Sequence, residues 1–138
     1  MHRIEKFIRI AYKYTFESNH RKFPMAAIAV KGNRVVAVGT NTDCKTHPKQ
    51  QQRVDRLGIC YGSQGPHAEL DCLIRASHDQ IKGSTVYVAR RLKNLDFGLA
   101  KPCYTCLVHL RNYGVKRVHY TLTHSLLKEG QWYGSIYM

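Results

Sequence analysis

The sequence has no long apolar run. Its longest near-apolar stretch, Phe23 to Val30, is broken by Pro24 and falls far short of the roughly 18 residues that a membrane span needs, so no membrane partner is expected. It has no apolar leader followed by a small-residue cleavage site: Met1-His2-Arg3-Ile4-Glu5-Lys6-Phe7 is charged and amphipathic from the start, which reads as a cytoplasmic protein. It has no internal repeat, low-complexity tract or linker, and 138 residues make one core but not two, so 1–138 reads as a single domain. Acidic residues are scarce. Nine Asp and Glu against 22 Lys and Arg leave a formal charge of +13. A field of that sign, spread along the whole chain, attracts phosphates, and nucleotides or nucleic acids are the natural partners. At 43% hydrophobic content the chain is ordinary for a globular protein, not a disordered one. Five cysteines in a reducing compartment cannot all pair internally, which favours metal binding or catalysis over a disulfide framework.

Ile4, Phe7, Ile8, Ala11 and Tyr12 recur at helical spacing, predicting an amphipathic helix over 3–17 with a stripe that packs on a sheet. Met25 to Val30 and Arg34 to Gly39 read as two strands of a hairpin turning at Lys31-Gly32-Asn33. From Thr40 to Gly65 no periodicity is visible, and a loop of that length is a candidate substrate lid. Pro66 opens a buried helix reaching about Ser77. Thr85 to Ala89 is a third strand, Cys103, Cys106, Leu107 and Leu110 mark a third helix ended by Gly114, and Lys116 to Thr121 is a fourth strand. Trp132 to Tyr137 offers a short fifth. Strands alternating with helices imply right-handed crossovers and a partly parallel sheet.

Two motifs carry chemistry. His67-Ala68-Glu69 begins the second helix and Pro102-Cys103-Tyr104-Thr105-Cys106 begins the third. Either is weak alone, since His-x-Glu is expected about 0.2 times and Cys-x-x-Cys about 0.15 times by chance in this composition; requiring both, with the proline, lowers the expectation to about 0.001. Cys103 and Cys106, three apart at a helix N-terminus, are neighbours whose thiolates the helix favours, and His67 supplies a third ligand for Zn²⁺. Three protein ligands leave the fourth tetrahedral position to water, as in a catalytic zinc site. On an uninterrupted helix His67 and Glu69 would point apart, but at an open helix start His67 can lean so that both face one cavity. Glu69, acidic and not a ligand, is placed to move the water's proton to a ring nitrogen and then to a departing amine. His-x-Glu followed by Pro-Cys-x-x-Cys is the pattern of zinc nucleobase deaminases.

On these residues the chain resembles the cytidine/deoxycytidylate deaminase superfamily over about residues 3–121. The resemblance implies an α/β, three-layer cytidine-deaminase-like sandwich, with a mixed, mostly five-stranded sheet between helices on both faces, and homo-oligomers. It implies that Asn41 contacts sugar and base and that the Ala68 backbone amide meets the ring carbonyl. The segment Asn41 to Pro48, with Ala100-Lys101-Pro102-Cys103, is similar to small phage members. Lys45 and His47 in the long loop are placed as phosphate contacts. The expected activity is hydrolysis of a cytosine-type base to uracil with release of ammonia, on a nucleotide such as dCMP. Alternatives are deamination of single-stranded DNA or RNA, C to U or A to I, and a non-catalytic zinc-stabilised nucleic-acid-binding module. Cys72 reads as core. Cys44, His47 and Cys60 could hold a second zinc, but lack a fourth ligand, and Tyr104 and Trp132 could stack on a base. The chain departs from the family in its longer connector, Arg91 to Lys101, and in the short stretch 122–138 left for a fifth strand and final helix.

Overall fold

The computed structural model of the chain describes residues 3–20, 22–41, 67–123 and 131–138. Helix α1 spans Arg3–Tyr14 and tightens into a 3₁₀ turn, Thr15–Glu17, where the sequence predicts further α-helix. Its stripe Phe7, Ile8 and Ala11 is buried against Ile28, Val30, Tyr87 and Ala89. The hairpin of β1, Met25–Lys31, and β2, Arg34–Thr40, turns through Gly32 and Asn33. Both have positive φ, 59° and 65°. That is what a two-residue turn matched to strand twist demands, and glycine and asparagine meet it at least cost.

Beyond the hairpin lie α2, Ala68–Ile74, α3, His78–Ile81, β3, Thr85–Arg91, β4, Phe97–Gly98, α4, Tyr104–Asn112, β5, Arg117–Thr121, and β6, Tyr133–Tyr137. The helix expected to run to about Ser77 ends earlier, at Ile74, and the sequence reading lacks the short helix α3 that follows, which starts behind Ser77, whose hydroxyl and the Gln80 side chain form a reciprocal capping box. Gly114, at φ 79°, follows α4 in the left-handed conformation that ends helices, as the sequence predicts.

The sheet runs β2-β1-β3-β5-β6, with the two-residue β4 also paired to β3. Only β3 and β5 are parallel among the described pairs, and α4 lies in the connection between them. Alternation decides which face each residue serves. Ile28, Val30, Tyr87 and Ala89 meet α1, while Ala27, Ala29, Val86, Val88 and Val118 meet Leu73 of α2, Ile81 of α3 and Leu110 of α4. The result is a three-layer α/β sandwich. Fully burying a leucine such as Leu73 or Leu110 contributes about 1.5–3 kcal/mol, which fixes α2 and α4 side by side on one face. The longer connector forms β4 and is tied to β5 by the Thr121 hydroxyl, which donates to the Gly98 carbonyl at 2.6 Å. Among the described residues no helix is long and apolar enough to cross a membrane.

Candidate metal centre and adjoining cavity

Helix α2 rests directly on the sheet. A Cβ at Gly39 would lie 2.1 Å from the Cys72 amide nitrogen and 2.5 Å from the Ala68 carbonyl oxygen, so the close approach requires glycine. Asp71 pins the contact, accepting from the Thr40 amide and from Arg75 Nε, both at 3.0 Å.

This seating brings two helix starts together. His67 is the N-cap of α2, with extended backbone at φ −75° and ψ 151°, and Cys103 is the N-cap of α4, at φ −72° and ψ 168°. Cys106 is the third residue of α4. An N-cap side chain and one three residues on face the same N-terminal opening, which is why His67 stands clear of the helix that carries Glu69. His67 Nδ1 lies 3.1 Å from Cys106 Sγ and 3.6 Å from Cys103 Sγ, and the three ligand atoms all fall within 4.8 Å of one another. Tetrahedral zinc with Zn–S near 2.3 Å and Zn–N near 2.1 Å would separate nitrogen and sulfur by about 3.6 Å. The donor set fits the ion in number, softness and spacing.

The electrostatics agree. The Cys106 side chain, the His67 ring and the Cys106 backbone amide favour the Cys103 thiolate, holding it well below the ordinary thiol range against the cost of burial. Burial alone would lower His67, but Cys103 and the Glu69 carboxylate outweigh it and raise the imidazole. Glu69 is 3% exposed, and burial raises its carboxyl above the usual range, the direction that favours a carboxyl able to hold a proton and return it. Cys72, three residues on, is buried in the core under the sheet as the sequence predicts.

His67, Ala68, Glu69 and Cys103 open onto a cavity of about 260 Å³, whose remaining wall is His20, Phe23, Met25, Asn41, Arg90 and Lys101. Asn41 is at the cavity, and its polar atoms also brace the backbone. Its Oδ1 accepts from the Ser18 hydroxyl at 2.6 Å and the Met25 amide at 2.9 Å, and its Nδ2 donates to the Phe23 carbonyl at 2.7 Å. Lys45, His47, Cys44 and Cys60 fall outside the described residues. Tyr104 is exposed and Trp132 stacks on Phe97 at 4.8 Å on the α1 side, so neither lines the cavity. Phe23, Arg90 and Lys101 are absent from the sequence-based site. Lys101 flanks the cysteine motif, whereas Phe23 precedes β1 and only strand pairing of Met25 with Arg90 and β4 formation bring Arg90 to the same wall.

Comparison with known proteins identifies the family. The model of the cytidine and deoxycytidylate deaminase zinc-binding region matches residues 1–122. The deoxycytidylate deaminase of Mycobacterium phage D29 is 27% identical over 128 residues, covering 84% of this chain and 91% of that one. Among solved structures, the fold is similar to the dCMP deaminase of cyanophage S-TIM5. In its apo form the TM-score is 0.60 at 23% identity, over 88% of this chain and 86% of that one. In its complex with dCMP and dUMP the TM-score is 0.57 at 20% identity, over 87% and 81%.

Proposed function

Because the chain belongs to the zinc-binding cytidine and deoxycytidylate deaminase family, we propose that it hydrolyses the exocyclic amine of a cytosine nucleotide, dCMP being the substrate assigned. Water adds at the ring carbon bearing the amine, the carbon–nitrogen bond breaks, and uracil and ammonia result. The observation that carries this reading is the convergence of His67, Cys103 and Cys106 beside a buried carboxyl at the floor of a cavity. In this reading the three side chains hold zinc, which supplies the Lewis acid that makes water a nucleophile at neutral pH.

The chain's own groups do the rest. Glu69 accepts the proton of the attacking water at a carboxylate oxygen, delivers it to the ring nitrogen, and returns a proton to the leaving amine; burial raises its carboxyl and so suits it to both halves of the cycle. Ala68 lines the cavity at the start of α2, where its amide is the donor assigned to the ring carbonyl. Asn41 has a second Nδ2 hydrogen beyond the one given to Phe23, and that hydrogen is the sugar or base contact assigned to it. Lys45 and His47 remain assigned to the phosphate.

The test is turnover by the zinc-loaded protein on dCMP, deoxycytidine, cytidine and C- or A-containing oligonucleotides, read as released ammonia and base identity. Deamination of dCMP ahead of the others is expected. Intact substrates throughout, with stoichiometric zinc bound, would overturn the reading in favour of a binding module.

A further inference from the structure

The cavity wall holds a cation, Arg90, that no carboxylate among the described residues pairs with. Arg90 leaves the sheet at the end of β3, where its backbone pairs with Met25 on one side and Gly98 on the other. Its guanidinium carbon lies 4.5 Å from the centre of the Phe23 ring, and a Cβ at Gly98 would come within 2.9 Å of its Cδ. The stem therefore runs in a slot between an aromatic face and a residue with no side chain. Arg90 Nε is buried with no hydrogen-bond partner, and no carboxylate among the described residues pairs with the guanidinium. Burial is the influence on its pKa, and lowers it. A buried guanidinium N–H with no acceptor among the described residues is a cost, and a ligand anion beside it removes that cost.

Arg90 shares its wall with Glu69, His67 and Lys101. An anion reaching Arg90 would thus belong to a molecule whose other end lies at the metal centre. We infer that Arg90, preorganised in the Phe23–Gly98 slot, binds the phosphate of a mononucleotide substrate and sets the preference for nucleotide over nucleoside. Lys101 is exposed, so water screens its contribution more than that of Arg90. The inference rests on the nucleotide reading above and adds Arg90, beside the assigned Lys45 and His47, to the groups that recognise the charged end. A planar guanidinium laid on the Phe23 face, with its stem confined beside Gly98, presents two parallel donors to phosphate oxygens with little left to order on binding.

The test is equilibrium titration of the zinc-loaded full chain with dCMP and with deoxycytidine, in wild type, Arg90→Gln and Arg90→Lys. Wild type should prefer dCMP. Arg90→Gln should shrink the ratio of the two affinities by about 10–100-fold, and Arg90→Lys should restore part of it, because lysine keeps the charge and loses the fork. A ratio indifferent to Arg90, or a wild type that binds both equally, overturns the inference. If Arg90→Gln fails to fold, competition in wild type decides: inorganic phosphate should weaken dCMP binding and leave deoxycytidine binding in place, and no competition overturns the proposal. Arg90 dependence confined to a C-containing oligonucleotide also overturns it, assigning the residue to a phosphodiester backbone. The two readings fail separately. A dCMP preference that depends on Arg90 without ammonia release would sink the deaminase, whereas turnover with an Arg90-independent preference would sink only this assignment.

Discussion

Glu69 and Cys72 sit three residues apart on one short helix and meet opposite surroundings. Glu69 faces the metal-ligating group, and the structure gives it both burial and a route to the cavity. Glu69→Gln keeps the shape and loses the exchangeable proton, so turnover should fall by about 10²–10⁴-fold while zinc content by elemental analysis stays stoichiometric. Unchanged turnover would place the proton shuttle elsewhere. Cys72 is enclosed, and burial pushes its thiol up to about 12, leaving about one thiolate in ten thousand at pH 8. Peptide-resolved alkylation of the native protein should therefore pass Cys72 by. Cys103 should label only after chelation of the metal. Because its thiol lies far below the ordinary range, its labelling should stay flat from pH 6 to 8, where an ordinary thiol gains roughly tenfold per unit. A steep rise would mean that its neighbours do not hold the thiolate. Exchanging Cys103 for Ser should empty the site, seen as loss of bound zinc and a lower Tm.

At the scale of elements, the centre depends on where two helices begin. His67 and Cys103 are N-caps, so a shift of either helix by one residue would break the group. The seat of α2 on β2 is a single glycine with helix backbone pressed against it. Gly39→Ala has nowhere to put its methyl except by lifting α2, which should cost about 1–3 kcal/mol or more and lower Tm by several degrees. Because the lift carries His67 away from Cys103 and Cys106, zinc should be lost in the same variant; retained zinc with unchanged Tm would show that the contact is slack. The connector shows how a short element completes a site. β4 is two residues long, yet its pairing places Gly98 beside Arg90 and its tie to Thr121 fixes the path into Pro102-Cys103.

For the molecule as a whole, the charge of +13 sets how association responds to salt. A mononucleotide engages one or two phosphate charges, so a double-logarithmic plot of dCMP affinity against salt should have a slope of magnitude about 1–2. A single strand held by several cations would give about 0.7 per phosphate contact and a steeper line. A slope well above 2 for an oligonucleotide, with feeble dCMP binding, would move the substrate to nucleic acid.

The residues that come together as a group able to hold a metal were legible in the sequence, because His67-x-Glu69 and Pro102-Cys103-x-x-Cys106 are local patterns whose chemistry follows from residue type. The alternation of strands and helices and the hairpin at Gly32-Asn33 were legible for the same reason: period and turn conformation are set by neighbours in the chain. Helix α3 was written in the capping pair Ser77 and Gln80, but four residues are too short a segment to show a helical period. What tertiary structure alone decided is which distant residues share a wall. Met25, Arg90 and Gly98 meet through strand register, Asn41 serves the backbone of Phe23 and Met25 as well as the cavity, and Trp132 is drawn to Phe97 on the opposite face. Register and packing are settled by contacts between segments far apart in the chain, so no window of sequence contains them.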